Sequence, residues 1–467
     1  MSVRIGGGQG FYGDGIAPVA DLLADGVDYL VCEALAELTL AILQKDRQRD
    51  EALGYTRDLP LYLQSALPWV LEGRTRFITN AGGINPVAAG RAAIAAARAA
   101  GATGSGLKVA TVVGDDVRAL AGDDVRALAG DLAVPGAEEA LFANVYLGAR
   151  PIVDALAAGA RVIITGRVAD ASLFVAPLVH ELGWAWDDWD RLAAGVAVGH
   201  LLECSGQVTG GNYSGKWWDA WPGAGVVAGP GAGVVAGPGA GGIGFPIAEV
   251  EADGSAVITK PRGTGGRVTF DTVREQLLYE VHDPARYLNP DVVADFTSLT
   301  VRDEGDDRVR ISHARGEAAP ATYKGLVCTP AGWAGECRVA YTWPDAEVKA
   351  RAALGFVRAQ AEAAGIPIQE WCEEYFGVNA YGGPTVDVPD RWQPPEVIGR
   401  LAWRCADPTQ AARPGRAVGV LGLSGPPGIS GIGRGGGGKP TQLLAVDPFF
   451  ADRDVVDRGV RVEVEEL

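Results

Sequence analysis

The stretch LKVATVVGDD at 107–116 decides how this chain reads. A short apolar, β-rich run is followed at once by Gly114, Asp115 and Asp116, the pattern of a strand that ends in a polar turn. Four other runs have the same form: VRIG at 3–6, DYLVCEA at 28–34, RFITNAGG at 76–83 and ARVIITGRVAD at 160–170. Between them lie Ala- and Leu-rich segments such as PVAAGRAAIAAARAAGA at 86–102, whose small apolar residues suit helices packed on a sheet. Strand, loop and helix in repetition imply an α/β fold with a mostly parallel sheet and helical crossovers.

The residues that close these runs are the chemically interesting ones. They are Cys32 and Glu33, then Asn80 with Gly82 and Gly83, then Asp115 and Asp116, then Arg167 and Asp170. Parallel sheets bind ligands at the carboxyl ends of their strands, so the recurrence places several polar groups on one rim.

From about residue 245 the texture changes. GSAVITK, GRVTFD, ADFTSLTVRD, DRVRISHARG, YKGLVCTP and ECRVAYTW read as antiparallel strands, and DAEVKARAALGFVRAQAEAAG as an amphipathic helix that stops at Gly365. The expected organisation is an α/β domain over 1–244 and a mainly antiparallel, ferredoxin-like α+β domain over 245–395. A segment over 396–467 follows, whose glycine-rich loop returns to the site. Two eight-residue units are duplicated in tandem: GDDVRALA at 114–121 and 122–129, and PGAGVVAG at 222–229 and 230–237. Both are too short to be packed repeats and read as insertions in loops, where added length is tolerated. Asp115 and Asp116 directly follow LKVATVVG and are preferred over Asp123 and Asp124 as the strand-end pair.

An excess of 58 acidic over 41 basic residues repels phosphate backbones and argues against nucleic acid as a partner. The six cysteines show no CxxC spacing and the four histidines do not cluster, so neither a zinc site nor a disulfide framework is indicated. With no leader-like N-terminus and no run of about 18 apolar residues, a cytoplasmic protein without membrane insertion is expected.

Three motifs could carry chemistry. The opening GGGQGFYGDG, with Gly8, Gly10 and Asp14, fits GxGxxG only loosely and suggests an anion-facing turn more than a nicotinamide site. GRGGGGKP places Arg434 and Lys439 around four glycines, as an anion clamp would. The stretch GHLLECSGQVTGGN at 199–212 concentrates Glu203, Cys204, Ser205, Gln207, Thr209, Gly210, Gly211 and Asn212. In it, Glu203 serves as a general acid–base with the other polar residues fixing a substrate, or Cys204 acts as a nucleophile with His200 or Glu203 as its base. Glu203 and Cys204 diverge if LLEC is extended. The aromatic KWWDAW at 216–221 lines an acyl pocket or packs an interface.

Taken in order, IGGGQGFYGD, DYLVCEALAE, TNAGGINP, VVGDD, ITGRVADASLF, HLLECSGQVTGGNY, GFPIAEV, YEVHDPARYLNPDV and GPPGISGIGRGGGGKP resemble the acyclic terpene utilisation (AtuA-like) family over roughly residues 3–445. The resemblance implies a role in breaking down acyclic isoprenoids such as citronellol and geraniol, through branched acyl-CoA thioesters, and supplies no catalytic list. It also implies, for some members, a further C-terminal ferredoxin-like domain that this chain is expected to lack. The two duplications depart from the family pattern.

The expectation is therefore a homo-oligomeric catabolic enzyme that binds a branched acyl-CoA or related carboxylate. It would act by hydration, dehydration or carbon–carbon lysis, with Glu203, Cys204, Asp115 and Asp170 as candidate catalytic groups and no required cofactor. The rivals are thioester chemistry at Cys204, a lyase using Mg or Mn on Glu33, Asp115, Asp116 or Asp170, and a non-catalytic subunit of an acyl-CoA-processing complex.

Overall fold

A computed structural model describes residues 2–118, 139–216, 242–378, 380–383, 393–431 and 438–467. Within it the chain divides into two compact units, Met1–Val327 with Val446–Leu467, and Cys328–Ala445.

The first unit is built on five parallel strands: β1 (Ser2–Gln9), β2 (Tyr29–Cys32), β3 (Arg76–Thr79), β4 (Lys108–Val113) and, after β5 (Phe142–Val145), β6 (Val162–Thr165). They lie side by side in the order β1-β2-β3-β6-β4, all parallel. Alternate residues feed two cores. Ile78, Ala110 and Ile163 pack on one face, and Phe77, Val109, Val162 and Ile164 on the other. This is why the strands are apolar throughout. Each fully buried Val or Ile contributes about 1.5–3 kcal/mol.

Helices cover both faces. On one side lie α1 (Ala17–Asp25), α3 (Leu59–Leu71) and α4 (Pro86–Ala99), after α2 (Glu37–Arg49); on the other lie α5 (Arg150–Ala157), α6 (Ser172–Leu182) and α7 (Trp189–Leu202). Alanines and Gly90 let α4 approach the sheet so closely that a Cβ at Gly90 would overlap the Thr111 side chain.

The parallel core is only half of the sheet, a correction to the mostly parallel expectation. The strand β7 (Ile247–Glu251) adds antiparallel to β1 and β8 (Ala256–Thr259) antiparallel to β7; after β9 (Tyr287–Leu288) and β10 (Val293–Asp295), β11 (Thr300–Gly305) and β12 (Arg308–Ser312) continue the sheet, β12 antiparallel to β8 and β11 antiparallel to β12. At the far edge β17 (Arg461–Glu466) runs antiparallel to β4, giving a ten-stranded mixed sheet. The strands β7, β8, β11 and β12 thus extend the first sheet. Within that region GRVTFD is not a strand: Thr269 caps α8 (Phe270–Leu278) through a reciprocal bond with Thr272. A small sheet of β9, β10 and β13 (Arg315–Glu317) lies against α7.

The second unit holds most of β14 (Thr322–Thr342), then α9 (Ala346–Ala363), β15 (Glu370–Phe376) and β16 (Glu396–Cys405). β16 pairs antiparallel with β14 and β15, and the Ala350, Ala353, Leu354 and Val357 face of α9 is buried in the core they share. A ferredoxin-like β-α-β-β-α-β unit has two crossover helices; the described residues here show one long helix, so that expectation is not met. Among the described residues no helix is long and apolar enough to cross a membrane.

Candidate functional site

Because β1, β2, β3, β6 and β4 are parallel, the residues that follow them meet at one rim. Glu33 follows β2, Asn80 follows β3, and Arg167 and Asp170 follow β6. Asn80 donates to Glu33 Oε1 at 2.9 Å and accepts from the Ala34 amide at 2.8 Å, while the Leu35 amide donates to Glu33 at 2.6 Å. Arg167 is 1% exposed. Its guanidinium donates to the carbonyls of Val168 (2.5 and 2.8 Å) and Leu35 (2.9 Å) and pairs with Asp170. With so few of its five donors left over, Arg167 fixes Asp170 and the loop rather than standing open as a substrate clamp. Its plane lies 4.4 Å over the Tyr146 ring.

Glu33 and Asp170 on this rim, and Glu203 at the end of α7 within electrostatic reach of Asp170, are all raised above the ordinary carboxylate range. Burial raises Glu33 well above it, with the Asp170 charge adding to the effect. Burial also raises Asp170, opposed by Arg167 and by a hydrogen bond with Glu33. Glu203 is raised by burial and by Asp170, against the His200 bond. Asp170, with a side chain 34% exposed, is the one most open to solvent.

Residues 199–202 are the last turn of α7, Glu203 is its C-cap and Cys204 lies in the turn that follows, so LLEC is not extended. On the helix His200 and Glu203 share a face, with Nδ1 2.9 Å from Oε1. Cys204 is pushed up by burial and by the Glu203 charge, which holds the thiol protonated, and the nearby imidazole nitrogen is bound to Glu203.

Asp115, 2% exposed, accepts from the Arg167 amide and from Asn144, each at 2.8 Å, and burial raises it to about 6. Asp116 pairs with Arg118 at 2.6 Å. Among the described residues no three His, Cys, Asp or Glu side chains are grouped to hold a metal ion.

The opening glycines serve packing. A Cβ at Gly10 would sit 2.7 Å from the Cys204 carbonyl carbon, one at Gly8 2.6 Å from Leu30, and one at Gly82 would overlap the Thr165 carbonyl. The Gly10 and Gly15 amides donate to Asp14 (3.0 and 2.7 Å) and that of Gly13 to Asp58 at 2.9 Å, so this turn's amides are taken by the chain's own carboxylates. Gly83 and Gly210 adopt positive φ, 56° and 103°, which glycine reaches freely. Asn212 also has a positive φ, 54°. Thr209 is buried and donates to the carbonyls of Gly206 and Gly244 (3.0 and 2.6 Å), so it holds the loop; Gln207 and Gly211 are half-buried. Lys439 is exposed in the second unit. Arg434, Asp123, Asp124, residues 217–221 of the aromatic cluster and the duplicated 222–237 lie outside the described residues.

Two residues escaped the sequence reading. Tyr287 on β9 stacks on Phe296 (4.8 Å between centroids) and lies 5.3 Å from the His200 ring. Gln276 on α8 donates to the His200 carbonyl at 3.1 Å. Only YEVHDPARY, in the sequence, hinted at the first. Two cavities of about 270 and 340 Å³ lie elsewhere, one beside Arg150, Asp291 and Arg453 and one beside Tyr29, Arg74 and Arg76. Asp291 and Arg76 are paired there, with Ser172 and Glu181 respectively.

A family model described as "Acyclic terpene utilisation family protein AtuA" matches residues 3–462. No curated protein and no solved structure matches the chain significantly.

Proposed function

The chain belongs to the acyclic terpene utilisation family, and from that premise we propose that it is a catabolic enzyme acting on a branched isoprenoid acyl-CoA or a related carboxylate. The favoured chemistry is hydration, dehydration or carbon–carbon lysis, each of which moves a proton next to a carbonyl. The observation that carries this reading is the trio of Glu33, Asp170 and Glu203, raised together at and beside one strand-end rim. Burial that raises a carboxyl group favours its protonated form and so suits it to give and take a proton, and positioned general acids and bases supply about 10²–10⁴-fold in rate.

In this reading Asp170, the most exposed of the three, exchanges a proton with the substrate. Glu33 stands behind it as a hydrogen-bonding partner and Arg167 keeps Asp170 in place. Glu203 is the second acid–base group. Thioester chemistry is disfavoured because Cys204 is held as a thiol.

A thermal-shift screen of the intact chain against geranyl-, citronellyl- and straight-chain acyl-CoAs tests the proposal. Branched acyl-CoAs should raise the melting temperature, and Asp170→Asn should keep that shift while losing about 10²–10⁴-fold in turnover. Turnover is expected to be unchanged by chelators. The reading fails if no acyl-CoA shifts the melting temperature.

A further inference from the structure

Glu203 is held from one side only. Its Oε1 meets Nδ1 of His200 at 2.9 Å, while Oε2 is buried and has no hydrogen-bond partner among the described residues. The imidazole making that contact is itself immobile. His200 is 1% exposed, its ring centroid lies 5.3 Å from Tyr287 and 5.4 Å from Phe296, and its carbonyl accepts from Gln276 at 3.1 Å. If the position served packing alone, a phenyl ring would make the same aromatic contacts without burying two ring nitrogens, one of which, Nε2, is also unpartnered. The polar ring therefore answers to the carboxyl group.

We propose that His200 is the positioning residue for Glu203: it fixes Oε1 through Nδ1, leaving Oε2 as the oxygen that exchanges a proton with the substrate. The proposal rests on the acid–base reading above. The ligand group it implies at Oε2 is a hydrogen-bond donor, a water or a substrate hydroxyl, as hydration or dehydration requires. Tyr287 and Phe296 hold the imidazole, and Gln276 ties the end of α7 from α8.

Three variants of the full chain separate positioning from packing, using whichever acyl-CoA binds and turns over. His200→Asn places an amide N–H close to the Nδ1 position, His200→Gln places it near Nε2, and His200→Phe removes it. Asn should retain most of the turnover, whereas Gln and Phe should lose about 100-fold in kcat with KM little changed, the cost of a misplaced catalytic group. Equal losses in all three variants, or full activity in His200→Phe, would overturn the proposal. Should His200→Phe not fold, the Asn and Gln pair still decides.

A second arm needs no ligand. With four histidines in the chain, ring-nitrogen NMR of Glu203→Gln should move the His200 signals and leave those of His180, His282 and His313 in place. Unmoved His200 signals mean that the contact is not made. A screen without any acyl-CoA binder instead overturns the acid–base reading, and a moved His200 signal then reports a contact that serves structure only.

Discussion

The hydroxyl of Ser205 donates to Oδ2 of Asp14 at 2.7 Å, joining residues 191 positions apart. The same oxygen accepts the Gly10 amide at 3.0 Å. The turn after β1 is thus pinned to the turn after α7, and Gly7 and Gly10 make room for the approach: a Cβ on Gly7 would sit 2.6 Å from the Leu202 carbonyl oxygen. Ser205 holds this bond from a left-handed backbone, φ 44°.

Those two facts oppose each other on substitution. Ser205→Ala keeps the unfavourable φ and loses a bond to a carboxylate, at about 1.5–3 kcal/mol. Ser205→Gly loses the same bond but relieves about 1–2 kcal/mol of backbone strain. Urea midpoints should place the glycine variant above the alanine variant; the reverse order would mean that the strain is absent.

Arg167→Met should be among the most damaging single changes in the rim. It leaves Asp170 beside Glu33 without its cation and the Val168 and Leu35 carbonyls without donors. Removing one partner of a fully buried pair costs about 3–5 kcal/mol, and the partial exposure of Asp170 places this change toward the lower end. In denaturant melts the double variant Arg167→Met with Asp170→Asn should lose less than the two single losses combined, because the second change removes the charge that the first one strands.

Asp115 supplies a pH test with a definite sign. Its folded-state pKa is raised to about 6, above the unfolded value of about 3.9. Its contribution is therefore fully present below pH about 4 and is lost as pH rises through about 6, a change of roughly 2–3 kcal/mol. Asp115→Asn should flatten this part of the profile. Measured between pH 4 and 7, the wild type should lose that much more stability than the variant, and parallel profiles would refute the assignment.

Two glycine-to-alanine changes should act in opposite directions. Gly82→Ala forces a methyl into the Thr165 carbonyl, where β3 turns toward α4 beside β6, and should cost at least about 1–3 kcal/mol as overpacking. Gly355 lies inside α9 with nothing near its Cβ position, so Gly355→Ala should stabilise by about 0.5–1 kcal/mol through helix propensity. Thermal melts of the two variants check both signs.

The parallel strands and the polar residues at their ends were readable in the chain itself. A strand buried on both faces must be apolar at every position, and the turn that ends it must satisfy its own backbone, so both signals are local. That is why Glu33, Asn80, Asp115 and Asp170 stand out without any partner in view. The helix at GHLLEC was less legible, because a buried helix loses its polar stripe: every residue from Leu192 to Leu202 is buried.

What the sequence alone determined was the set of central strands, their alternation with helices, and which residue types would gather at the strand ends. Tertiary structure decided the rest, since which strand lies beside which depends on contacts between segments far apart in the chain. It set β17 against β4 and β7 against β1, making the sheet mixed. It turned Arg167 inward to backbone carbonyls, gave the Gly10 amide to Asp14, and brought His200 onto Glu203 between two aromatic rings. In each case the outcome depended on which distant group was close enough to satisfy a buried donor or acceptor, and that is a property of packing.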